Sequence, residues 1–215
     1  KAACSTVSAF DELGQTWSTP LVSRINKFPK IGDPPVLIFG GGYDADAEDT
    51  VPAEANKARS MGRALYILNG DTGGVIQAWG TGAGKTGKWN PASGGTTTMS
   101  YSIPSDVTAI STDSDQLVDR VYVGDMGGNV WRFDIVDTDE TKWQAEQLAA
   151  LSNATGEKRK FFFPPAVAPQ SQPFAFSYDA VYIGSGDKEH PTLSSSSTPP
   201  TTDDRMFMLM DDPSQ

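Results

Sequence analysis

Arg120-Val-Tyr-Val-Gly-Asp-Met-Gly-Gly-Asn-Val-Trp-Arg-Phe-Asp134 is the stretch whose reading decides the fold. A run of strand-favouring residues ends at Gly124, a tight turn forms at Gly127-Gly128, and a second run places Trp131 and Phe133 two residues apart. That pattern is a β-hairpin. The same layout recurs when Gly40 and Gly184 are aligned with Gly124. Pro35-Val-Leu-Ile-Phe39 and Ala180-Val-Tyr-Ile183 precede those glycines, and the later runs carry Tyr66 with Leu68 and Phe207 with Leu209. Ahead of each first run lies a proline-marked segment that reads as one more strand: Trp17–Val22, Pro104–Ile110 and Pro164–Ala168. Gly74–Trp79 and Lys142–Leu148 supply a fourth strand in the first two repeats, and the third repeat ends before its own.

Four antiparallel strands repeated in tandem are the signature of propeller blades, each of which buries its faces only against neighbouring blades. The expected fold is therefore all-β, a partial β-propeller of about three blades over residues 13–80, 104–151 and 164–212. A β-sandwich is the rival architecture, but a sandwich need not repeat its own sequence pattern. Three blades do not close a ring, since propellers have four to eight. The chain is thus expected to be a fragment of one larger propeller domain, with apolar blade faces left to associate or to lean on the missing blades.

Composition agrees with many turns and little helix. The 215 residues include 21 Gly and 15 Pro, with 38% hydrophobic content for a core. The net charge of −10 repels phosphate backbones and anionic lipid, so nucleic acid and membrane insertion are not expected. One cysteine, Cys4, excludes an internal disulfide framework and a multi-cysteine zinc site. The Lys-Ala-Ala-Cys start has no signal-peptide layout, and no run has the length of a membrane span.

The segment feeding the hairpin, Ser111-Thr-Asp-Ser-Asp-Gln-Leu-Val-Asp119, carries the chemistry. Ser111, Asp113, Asp115 and Asp119 stand at positions 1, 3, 5 and 9, and Leu117 offers its backbone carbonyl at position 7, the order in which an EF-hand-type loop wraps calcium. Two departures stand out: Ser111 where Asp is usual, and Gln116 where Gly makes the sharp turn. Without an ion the same residues form a solvated turn through their own side-chain hydrogen bonds. Asp44, Asp46 and Glu48, in the run to Asp49, alternate in a second acidic loop that reads either as another cation site or as solvated surface. Gly84-Lys-Thr86 lacks the spacing of a phosphate loop, and residues 192–202 have the composition of a flexible tip. His190 has no nucleophile or second histidine to work with, and no Gly-x-Ser-x-Gly elbow is present. An enzyme is not expected, and Trp131 reads as blade packing.

The wording of the motifs is more specific than the fold. Leu13-Gly-Gln-Thr-Trp-Ser-Thr-Pro20, Phe39-Gly-Gly-Gly-Tyr-Asp44, Ala64-Leu-Tyr-Ile-Leu-Asn-Gly-Asp-Thr-Gly73, Asp119–Asp125 with Asn129–Asp134, and Gly184-Ser-Gly-Asp-Lys-Glu-His-Pro191 closely resemble the C-terminal propeller of the PilC/PilY family. These proteins are type IV pilus biogenesis factors and pilus-tip adhesins. The resemblance implies a seven-bladed, quinoprotein-like propeller whose earlier blades precede this segment. It also implies a calcium loop formed by Ser111, Asp113, Asp115, the Leu117 carbonyl and Asp119, which regulates pilus extension against retraction and thereby twitching motility. Minor pilins and a host or surface ligand are the implied partners, and the implied location is the pilus tip, after export through periplasm and outer membrane. Two other readings are a carbohydrate-binding or general surface-adhesion propeller, and a pyrroloquinoline-quinone dehydrogenase. The latter rests on Leu68–Trp79 and lacks the adjacent cysteine pair that commonly stacks the quinone.

Overall fold

The computed structural model describes residues 10–45, 61–80, 99–152, 159–170, 177–189 and 204–212. Eleven strands form three antiparallel sheets among these residues. The first sheet joins β1 (Leu21–Ser23), β2 (Val36–Gly40), β3 (Ala64–Asn69) and β4 (Val75–Gly80) in chain order. The second joins β5 (Thr108–Ile110), β6 (Arg120–Gly124), β7 (Asn129–Asp134) and β8 (Gln144–Ala150) in the same way. The third has β9 (Ala166–Gln170), β10 (Tyr178–Gly184) and β11 (Met206–Asp211). All three expected repeats are present, with the third one strand short among the described residues.

Sequence and structure differ at the outer strands. The first strand was expected over 17–22 and pairs only over Leu21–Ser23, while Trp17 stacks on Tyr43 at 4.2 Å. The fourth strand of the second sheet begins at Gln144, because a 3-10 turn capped by Asp139 occupies Glu140–Lys142. Outer strands have one neighbour, so turn chemistry there outweighs strand propensity.

The sheets pack face to face. Val36, Ile38, Leu65, Ile67 and Trp79 of the first meet Val121, Val123, Trp131 and Phe133 of the second in one apolar cluster. Trp79 lies 5.0 Å from Phe133. Tyr122 and Val130, on the other face of the second sheet, pack with Phe161, Val181 and Ile183 toward the third. The repeat glycines mark these seams. A Cβ on Gly40 would lie 2.4 Å from the Ile103 carbonyl oxygen, and one on Gly124 would lie 2.5 Å from Phe161 Cβ. At Gly184 the nearest atom is 3.8 Å away. The outward face of the third sheet is accordingly open, with Tyr182, Met206, Met208 and Met210 exposed.

The second seam also carries charge. Arg120 pairs with Asp134 (2.7 Å) and Asp179 (2.7 Å), and Arg132 with Asp134 (3.0 Å), Glu146 (2.6 Å) and Asp211 (2.5 Å). The Tyr122 hydroxyl lies 2.9 Å from Asp179 and 2.7 Å from Asp211. Burial, then the hydrogen bond to Asp211, holds its proton well above the ordinary tyrosine range. Ions taken out of water need such mutual pairing, because their desolvation costs several kcal/mol each.

Candidate metal centre

The 111–119 loop joins β5 to β6, and antiparallel pairing puts it at the opposite end of the sheet from the β6–β7 turn. Its end is pinned. Asp119 N–H donates to the Ile110 carbonyl (3.0 Å), Ile135 N–H to the Asp119 carbonyl (2.7 Å), and Val118 N–H to the Arg24 carbonyl of the first sheet's loop (2.8 Å). Leu117 and Val118 are buried, and Asp119 is 1% exposed.

Asp113, Asp115 and Asp119 each bring one carboxylate oxygen within 4.8 Å of the others, a group that could hold a metal ion. The Ser111 hydroxyl lies 3.4 Å from Asp113 Oδ1 and 3.3 Å from Asp115 Oδ1, so its oxygen stands beside two of the three carboxylates. Asp115 N–H donates to Asp113 Oδ1 (3.1 Å) and Leu117 N–H to Asp115 Oδ1 (2.7 Å), which turns alternate residues inward. Ser114 and Gln116, the residues between them, take positive φ of 69° and 70°. Gln116 thus occupies the left-handed conformation that glycine takes at position 6, at a cost of roughly 1–2 kcal/mol.

Asp119 does two jobs. Its Oδ2 accepts from Thr112 N–H (2.7 Å) and Thr112 Oγ1 (2.9 Å), and its Oδ1 accepts from Asn26 Nδ2 (2.9 Å). A carboxylate has about four acceptor sites, so one place on Oδ1 remains for a cation. Asn26 and Thr112 were not foreseen. Nothing near Asn26 in the sequence points to a loop 93 positions later, whereas a threonine after position 1 is a common local capping residue.

The donor set fits a hard cation. Oxygens bound to calcium at about 2.3–2.6 Å lie no more than about 5 Å apart, which the 4.8 Å spread satisfies. Three carboxylates this close repel one another by roughly 1–4 kcal/mol per pair, and a cation relieves that. The acidic loop at 44–49 lies mostly outside the described residues. Asp44 itself is buried and accepts from Met61 N–H (3.3 Å). Cys4, His190 and residues 84–86 and 192–202 also lie outside.

The tandem antiparallel sheets and the acidic loop between the first two strands of the second sheet define a repeat-built, all-β protein with a candidate cation site. No family model matches the sequence. The type IV pilus biogenesis factor PilY1 homolog of Xylella fastidiosa (strain Temecula1) is 28% identical over 144 residues, 66% of this chain and 8% of that protein. The crystal structure of the Pseudomonas aeruginosa PilY1 C-terminal domain superposes with a TM-score of 0.61 at 18% identity, over 94% of this chain and 38% of that one. Both bear out the resemblance read from the motifs: the chain is PilY1-related, and its fold is the fold of part of that domain. It spans a small part of the pilus factor it matches.

Proposed function

We propose that this chain is part of a calcium-binding propeller of a type IV pilus biogenesis factor and adhesin, and that the 111–119 loop is its regulatory site. The observation that carries this reading is the convergence of Asp113, Asp115 and Asp119 within 4.8 Å, on a chain whose relative is a pilus biogenesis factor. Ser111 and the Leu117 carbonyl complete the proposed ligand set. The ion supplies positive charge that lets the three carboxylates sit together. Its effect reaches both seams, because Val118 bonds to Arg24 of the first sheet's loop and Asp119 adjoins Arg120 of the ionic seam.

In this reading the three sheets are blades of one ring closed by further blades, seven in all as the resemblance implies. The protein acts by binding, at the pilus tip and outside the cell, with minor pilins and a surface ligand as partners and no catalytic turnover. Among the described residues no helix is long and apolar enough to cross a membrane. Calorimetric titration tests the site. With three carboxylates the dissociation constant is expected near 10⁻⁴ M, at the weak, extracellular end of such loops. Asp113→Ala should abolish the heat and Ser111→Asp should tighten binding. No calcium heat at millimolar concentration would reduce the loop to a turn.

A further inference from the structure

Beside the acidic loop, at the mouth of the seam between the second and third sheets, is a cleft of about 340 Å³ lined by Ser111, Thr112 and Arg120 on one side and Gln170, Ser177 and Asp179 on the other. Its volume lies at the small end of the roughly 300–1,000 Å³ typical of small-molecule sites. Arg120, Asp179 and Thr112 are held in place before any ligand arrives. Arg120 is fixed through Nε by Asp134 and through Nη1 by Asp179, each at 2.7 Å. A guanidinium has five N–H donors, so donor capacity remains. Asp179 Oδ2 receives Arg120 and Tyr122, and among the described residues its Oδ1 has no hydrogen-bond partner. Among the described residues the Gln170 amide nitrogen makes only a 3.4 Å contact with the Ala168 carbonyl.

Charge narrows the ligand class. The guanidinium is already matched by two carboxylates, so an anion would find no spare cation, and burying one unpaired is costly. Ile110 and Pro169 add an apolar stretch to the lining. Donors and acceptors gathered around a small space with some apolar surface suit a ring that carries hydroxyls on its edge and C–H groups on its face. We propose that this cleft binds a neutral sugar, either a free monosaccharide or the terminal residue of a neutral glycan.

Ser111 and Thr112 belong to both the cleft and the acidic loop, and Thr112 is tied to Asp119 by two hydrogen bonds. An occupied loop therefore fixes one wall of the cleft, and sugar binding strengthens with calcium. This coupling rests on the calcium reading, while the location of the sugar site does not.

Ligand-observed NMR on the full chain, with methyl glycosides of glucose, galactose and mannose and with N-acetylglucosamine as probes, tests both parts. At least one probe should bind saturably, Ser177→Trp should fill the cleft and abolish the signal, and Gln170→Ala should weaken it about tenfold. Chelation of calcium, or Asp113→Ala, should weaken it several-fold with the fold intact by circular dichroism. No saturable binding by any probe, or binding that survives both cleft variants, overturns the site. Binding lost in the cleft variants but equal with and without calcium overturns the coupling alone.

Discussion

Replacing Asp119 by alanine should damage the protein before any cation is considered. The carboxylate accepts three hydrogen bonds, two from Thr112 and one from Asn26, at 2.7–2.9 Å. Hydrogen bonds to a charged acceptor contribute roughly 1.5–3 kcal/mol each, but Thr112 is exposed and water can replace part of what it loses. A net loss of about 3 kcal/mol follows for Asp119→Ala with calcium chelated. Asp113→Ala removes an exposed carboxylate that organises only a local turn, and should stay within about 0.5 kcal/mol. Urea denaturation monitored by tryptophan fluorescence separates the two, as a lower midpoint at unchanged slope for Asp119→Ala only. Calcium at about a hundred times its dissociation constant should then stabilise the unmodified protein by about 2.7 kcal/mol and Asp113→Ala by almost nothing. Equal destabilisation of both variants under chelation would refute the structural role of Asp119. Equal stabilisation of the unmodified protein and Asp113→Ala by calcium would refute the ligand role of Asp113.

Gly124→Ala forces a methyl against Phe161 and Ile183 and should cost about 1–3 kcal/mol, whereas Gly184→Ala meets nothing closer than 3.8 Å and should be near neutral in thermal unfolding. Gln116→Gly relieves a left-handed φ. Relief of roughly 1–2 kcal/mol exceeds the extra unfolded-state entropy of about 0.4–1 kcal/mol, so the melting temperature should rise slightly, and a fall would contradict the strain. Asp125 is buried, and desolvation pushes its carboxyl up to about 6 against the opposing donors Trp131, Asn129 and Gly127. The folded state then holds a proton that the unfolded state has released, so stability relative to Asp125→Asn should fall as pH rises from about 4 to 6. A flat or rising difference across that window would overturn this.

The strands of the first two sheets were legible because both faces of those sheets are covered, so their apolar runs are nearly continuous, and the glycines at 40, 124 and 184 punctuate all three repeats. The ionic seam was not. Arg120 and Arg132 alternate with apolar residues, the pattern of a solvent-facing edge, and only the third sheet, with Asp179 and Asp211 from β10 and β11, turns that face inward. The acidic loop was legible as a spacing, since alternate inward residues are a local property. The second task of Asp119 was hidden, because its partner Asn26 comes from a different sheet's loop.

The open face of the third sheet has a chemical consequence of its own. Met206, Met208 and Met210 stand in a row on β11, 75%, 50% and 61% exposed. In this chain alone, without the further blades of the proposed ring, an oxidant reaching these thioethers would add one oxygen to each sulfur and turn an apolar, pliable side chain into a polar sulfoxide. Phe207 and Leu209, pointing the other way into the seam, have no sulfur to oxidise. One side of a single strand would change from oil-like to water-like while the other held its packing, and reductase repair of the sulfoxides would reverse the change.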